Sequence, residues 1–197
     1  MNIFKKIFGA KAESAEIREI KQQDVSLSLD DLFVHNFITK GGKFLYSVTT
    51  SELSNNLINI LDENGWKNIT CLSEDKLSKY LDQLSIEINE DTNLKTPILT
   101  TCEHLISDTG GILFSSNQIK ENKLHMLSND FIVFAKTSQL VKNMGEGLTG
   151  IKNNFKDNIP TNICAIKNFS RDNDEENFLS SESSNSKNLY LLLLEDL

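Results

Sequence analysis

Two short runs, DFIVFA at residues 130–135 and LYLLLL at residues 189–194, are apolar at nearly every position instead of every second one. A strand with one wet face alternates polar and apolar residues, whereas a strand covered on both faces does not. Covering both faces is the habit of parallel sheets clad in helices. Each run is also far shorter than the roughly 20 residues needed to cross a bilayer as a helix. The terminal run therefore reads as a central strand.

The segments before these runs alternate in period. Residues 28–40 open with Ser28 as an N-cap and Asp30 and Asp31 in the first turn, and Leu32, Phe33, Phe37 and Ile38 make an apolar stripe. Gly41-Gly42 ends that helix. Residues 43–48 read as a strand. Thr50 or Ser51 caps a second helix carrying Leu53, Leu57, Ile60 and Leu61, and Gly65 closes it, with Trp66 as core packing at the corner. Strand 68–72, a helix over 75–84 and strand 97–101 follow, with residues 85–96 as a loop. After strand 130–135, Thr137-Ser138 is expected to cap a helix lined by Leu140, Val141, Met144 and Leu148. A strand at 161–166 and a polar loop at 170–188 precede the final run. The strand–helix rhythm predicts an α/β fold: an open, mostly parallel sheet flanked by helices.

The 197 residues suffice for one domain with a sizeable core, assigned to 27–197. Residues 1–26 stand apart. Ile3, Phe4, Ile7 and Phe8 face away from Lys5, Lys6 and Lys11, an amphipathic segment that residues 12–26 link to the body. Such a tip fits docking onto protein or a weak peripheral membrane contact through residues 3–8. With no signal peptide read at the N-terminus, the expected location is cytoplasmic. A net charge of −8 argues against nucleic acid, whose phosphates call for a basic face. Cys71, Cys102 and Cys164 are widely spaced and too few for a four-cysteine site, so buried thiols are expected, with no metal and no cofactor. Glu103-His104 lacks the further convergent ligands a metal needs.

The stretch most suggestive of a site is ISDTGGILFSSNQ, residues 106–118. Asp108, Thr109, Gly110 and Gly111 precede a buried run, and Ser115, Ser116, Asn117 and Gln118 follow it. An acid, a hydroxyl and free amides at the mouth of a strand suit a small anion, with Asp108 as a weak catalytic candidate. The same residues serve equally as a sheet corner, Asp108 capping the turn and the glycines freeing the backbone.

ISDTGGILFSS resembles the Ala-[Asp/Glu]-Thr-Gly-Thr element that precedes a strand in the LUD-domain (lactate-utilisation C-type) family. The likeness runs through KLHMLSNDFIVFAKTSQLV (123–141) to KNLYLLLLED (187–196), covering residues 28–197. The family's Gly-Pro-Ser-Arg-Thr-Ala-Asp-Ile-Glu signature falls on NFSRDNDEE (168–176), which keeps Ser170, Arg171, Asp174 and Glu176 but loses the Gly-Pro. The later His-Gly-Pro turn is replaced by Ser184-Asn185-Ser186. The resemblance implies a fold of the sugar-phosphate isomerase and coenzyme A transferase group (NagB/RpiA/CoA-transferase-like). It further implies an accessory role in oxidising lactate to pyruvate beside iron–sulfur partner proteins. The competing expectation is an enzyme or sensor binding an anionic phosphate, nucleotide, coenzyme A or carboxylate. Asp108, Thr109, Gly110, Gly111, Ser115, Ser116, Asn117, Thr137, Ser138, Ser170 and Arg171 would then form the site, with Arg171 forking onto an oxyanion.

Overall fold

The computed structural model describes residues 27–81, 84, 86–89, 92, 95–169 and 186–196. Helix α1 is Leu29–Thr39, strand β1 Lys43–Ser47, α2 Thr50–Asn64, β2 Asn68–Cys71 and α3 Glu74–Leu81. Strands β3 (Glu87–Asn89), β4 (Ile98–Thr101), β5 (His104–Ile106) and β6 (Gly111–Phe114) follow, then α4 (Ser116–Ile119) and β7 (Asp130–Lys136). The chain finishes with β8 (Leu140–Val141), α5 (Met144–Asn154), β9 (Cys164–Ile166) and β10 (Asn188–Leu194).

The main sheet has six strands in the order β1-β10-β7-β4-β2-β3, every pair parallel. The two unbroken apolar runs lie side by side within it, Leu191 opposite Val133. Each is apolar throughout because each faces two cores. Leu189, Leu191 and Leu193 join Phe33 and Phe37 of α1 on one side. Tyr190, Leu192 and Leu194 join Leu53, Leu57 and Ile60 of α2 and Leu77 of α3 on the other. Trp66 meets Tyr190 edge-on, ring centroids 6.0 Å apart, at the corner after α2. A second sheet, β8-β5-β6-β9, lies on the α1 side and contributes Leu105, Ile112, Phe114 and Ile166 to the first core. Its outer face is covered by α5 through Ile106, Leu113 and Ile151.

Several expectations are corrected. The cap of α2 is Thr49, one residue before the two candidates, its hydroxyl accepting from the Glu52 amide. Ile38 is exposed, so the buried stripe of α1 is Phe33 and Phe37. The segment 85–96 includes the edge strand β3. Strand β9 is shorter than the run 161–166. Thr137-Ser138 begin a single 3-10 turn, not a long helix. Leu140 and Val141 leave it to pair with Leu105 and Ile106, and the helix starts only after Asn143, whose side chain accepts from Glu146. Tertiary strand pairing overrides the helical spacing there.

Lys187 enters β10 almost fully buried, at 1% exposure. Its ammonium donates to the Leu127 carbonyl at 3.0 Å and lies 5.7 Å from the Phe131 ring centroid. Burial pushes it down to about 8, against 10.5 for a free lysine. Below pH 8 the amine is charged in folded and unfolded chains alike, and the full cost of burying the charge is present. That cost fades as pH rises from about 8 toward 10.5. Lys187→Met removes the titration. The urea midpoint of wild type, measured relative to that of Lys187→Met, should rise between pH 7.5 and about 9.5. The buried thiols titrate in the opposite sense but are common to both proteins. A constant difference across the range would refute the assignment.

Candidate functional site

Asp108 to Gly111 form the reversal of a hairpin, with Ile106 opposite Gly111. The turn is lashed to helix α1. Asn36 Nδ2 donates to the carbonyls of Ser107 (2.9 Å) and Asp108 (3.1 Å), and Lys40 Nζ donates to the Thr109 carbonyl (2.6 Å). The amide of Asp108 donates to the Lys142 carbonyl, and that of Gly111 to Thr109 Oγ1 at 3.3 Å. Gly110 has φ +65, and a Cβ there would come within 2.5 Å of the Phe37 backbone nitrogen. Its glycine is demanded by a helix packed directly on the turn. The Gly111 amide is thus engaged within the turn and the Asp108 amide with the segment after β8, while the Asp108 side chain is exposed.

Ser115, Ser116 and Asn117 sit at the start of α4. Ser115 is fully buried and caps that helix: its amide donates to Gln118 Oε1 at 2.9 Å, and its hydroxyl accepts from the Asn117 amide at 3.1 Å. The same hydroxyl donates to Glu103 Oε1 at 2.6 Å, which Asn117 Nδ2 also reaches at 2.9 Å. Ser116 Oγ accepts from the Thr161 amide. Thr137 and Ser138 hold a carboxylate already present in the chain. Asp196 Oδ1 accepts from Thr137 Oγ1 and the Ser138 amide (both 2.9 Å), and Oδ2 from Ser138 Oγ (2.8 Å), with Lys136 Nζ 3.5 Å away. Burial alone pushes the Asp196 carboxyl up, but the bonds from Ser138 and Thr137 and the charge of Lys136 outweigh it and hold it below the usual aspartate value. Ser170, Arg171, Asp174 and Glu176 lie outside the described residues. So do the amphipathic segment 1–26 and most of the loop 170–188.

The candidates therefore fall into three separate clusters: the hairpin turn on α1, the cap of α4, and the seat of Asp196. Cys71 and Cys102 are buried and Cys164 half-buried. Burial pushes all three thiols up, Cys164 to about 11, which makes them poor nucleophiles. Among the described residues no three His, Cys, Asp or Glu side chains gather as metal ligands, and no helix is long and apolar enough to cross a membrane.

Sequence reading missed a cleft of about 330 Å³ outside the carboxyl ends of β2 and β4. Cys71 to Lys76 line it from one side, Asn117 and Lys120 from the other. A smaller hollow of about 280 Å³, lined by Thr50, Ser51, Ser54, Lys79 and Tyr80, lies where α2 begins. The one legible signal for the larger cleft was Ser73, a hydroxyl residue directly between a strand and a helix.

Residues 33–194 match the sequence profile of the LUD domain. The chain belongs to the LUD-domain family. No curated protein matches it. A solved structure similar to this LUD domain is that of a DUF162 family protein from Deinococcus radiodurans. The TM-score is 0.61 at 15% identity, covering 87% of this chain and all of the other. At that identity the likeness speaks for the fold, an α/β architecture around a mostly parallel sheet. The family as a whole is associated with lactate utilisation.

Proposed function

We propose that this LUD domain is an accessory protein of lactate oxidation, working beside iron–sulfur proteins that convert lactate to pyruvate. The observation that carries the reading is the family match across 33–194. The hairpin geometry supports it: the residues most like the family element, Asp108 to Gly111, spend main-chain donors and acceptors on α1, on β8's neighbourhood and on each other. Such a turn holds a surface in shape. In this reading residues 27–197 form the single working domain, in the cytoplasm, and residues 1–26 tether it to a partner or a membrane surface. The cell's lactate-oxidising iron–sulfur proteins carry the electrons.

Deleting the gene should abolish or strongly slow growth with lactate as sole carbon source, leaving growth on pyruvate normal. Tagged full-length chain should recover iron–sulfur proteins from lactate-grown cells. Unimpaired growth on lactate would sink the proposal.

A further inference from the structure

Strands β2 and β4 are parallel neighbours, yet the chain leaves them toward opposite faces of the sheet. After β2 it enters α3, whose Leu77 and Leu81 pack in the α2 core. After β4 it enters β5, β6 and α4, whose Leu105, Ile112 and Ile119 pack in the α1 core. The two exits part and leave a crevice outside the carboxyl ends, the place where open α/β sheets take their ligands. The 330 Å³ cleft lies there, within the size range of small-molecule sites.

One lining residue, Ser73, is tied to the buried hydroxyls of β4. Ser73 Oγ lies 3.0 Å from Thr100 Oγ1 and 3.2 Å from Thr101 Oγ1, and it accepts from the Thr101 amide at 3.3 Å. Ser73 stands at the head of α3 but turns its hydroxyl inward to these threonines, not onto the helix's first amides. Thr100 Oγ1 reaches the Gln118 carbonyl at 3.4 Å. Gln118, between the cleft residues Asn117 and Lys120, is fully buried, and its Nε2 has no partner among the described residues.

Lys120, on the rim, adopts φ 53 and ψ −135, a region that suits glycine and few other residues. Its carbonyl is pinned by Asn162 Nδ2 at 2.9 Å and its amide bonds Ser116. The backbone calls for glycine, and the chain supplies a cation facing the cleft that Lys76 lines from the other side. Glu74 and Asp75 complete the lining, so charges of both signs meet in one small space.

We propose that this cleft binds a small hydroxylated anion. Lys76, Lys120 and the open end of α3 take its phosphate or carboxylate, and Glu74 and Asp75 accept from its hydroxyls. Lysines hold oxyanions as point charges, and acidic side chains are the natural acceptors for hydroxyls. This inference stands apart from the lactate reading: the cleft can bind or fail to bind whatever the growth phenotype.

The test is calorimetric titration of the full chain with glycerol 3-phosphate, lactate, inorganic phosphate and glycerol at constant ionic strength. Wild type, Lys120→Gly and Lys76→Gln would be compared. One of the two hydroxylated anions, glycerol 3-phosphate or lactate, should bind, and which one tells phosphate from carboxylate. Affinity should fall at least about tenfold in each variant. Lys120→Gly should meanwhile melt on the order of 3 °C higher, because glycine relieves the backbone. That gain separates lost binding from lost folding. Binding by neither hydroxylated anion, binding unchanged in the variants, or inorganic phosphate binding as tightly as glycerol 3-phosphate would each overturn the proposal.

Discussion

Gly110→Ala should lower stability by roughly 2–5 kcal/mol, about 1–2 from a left-handed backbone and about 1–3 from overpacking. The methyl would meet the Phe37 nitrogen at 2.5 Å and the Asn36 carbonyl carbon at 2.6 Å, main-chain atoms that no rotamer change can move. Relief requires α1 and the hairpin to separate, which stretches the bonds from Asn36 and Lys40. Against a typical stability of about 5–15 kcal/mol the loss is large. A thermal melt should show a fall on the order of 10 °C. A melt within about 2 °C of wild type would mean that α1 does not sit on the turn as described.

Phe37→Ala should cost about 3–5 kcal/mol, the range for deleting a buried phenyl ring. Phe37 is fully buried, stacked on Phe33 with centroids 5.5 Å apart and tilted against Phe169 at 4.5 Å. The same ring shapes Gly42, where a Cβ would run into Phe37 Cε1. Gly42→Ala should therefore be strongly destabilising alone but cost at least about 1 kcal/mol less in the Phe37→Ala background. Gly110→Ala should show no such rescue, because its obstacle is the Phe37 backbone and not the ring. Chemical denaturation of the single and double variants distinguishes the two cases. Equal coupling for both glycines would contradict the geometry.

Most elements were legible because their residues repeat with a local period. Strand β7 and strand β10 declare themselves by unbroken apolar runs, and α1 and α2 by caps and stripes. The segment 137–141 misled for a physical reason. Leu140 and Val141 fit a helical stripe with Met144, but two hydrogen-bonded partners in β5, more than thirty residues earlier, draw them into a strand. Leu148, expected on the covered side, is exposed because α5 starts later and turns a different face inward.

The candidate site divides along the same line. Reading residues 106–118 could point to a glycine-bearing corner before a buried strand, since turn chemistry is local. It could not show that Gly110 answers to a helix some seventy residues earlier, or that Thr137 and Ser138 are filled by Asp196 near the other end. By itself the sequence determined strands β7 and β10, their two-sided burial and the family, because each is written in spacing or in a contiguous motif. The cleft at β2 and β4 was decided only by the tertiary structure. Its two walls, residues 71–76 on one side and Asn117 and Lys120 on the other, have no local pattern in common, and meet because neighbouring parallel strands send the chain to opposite faces.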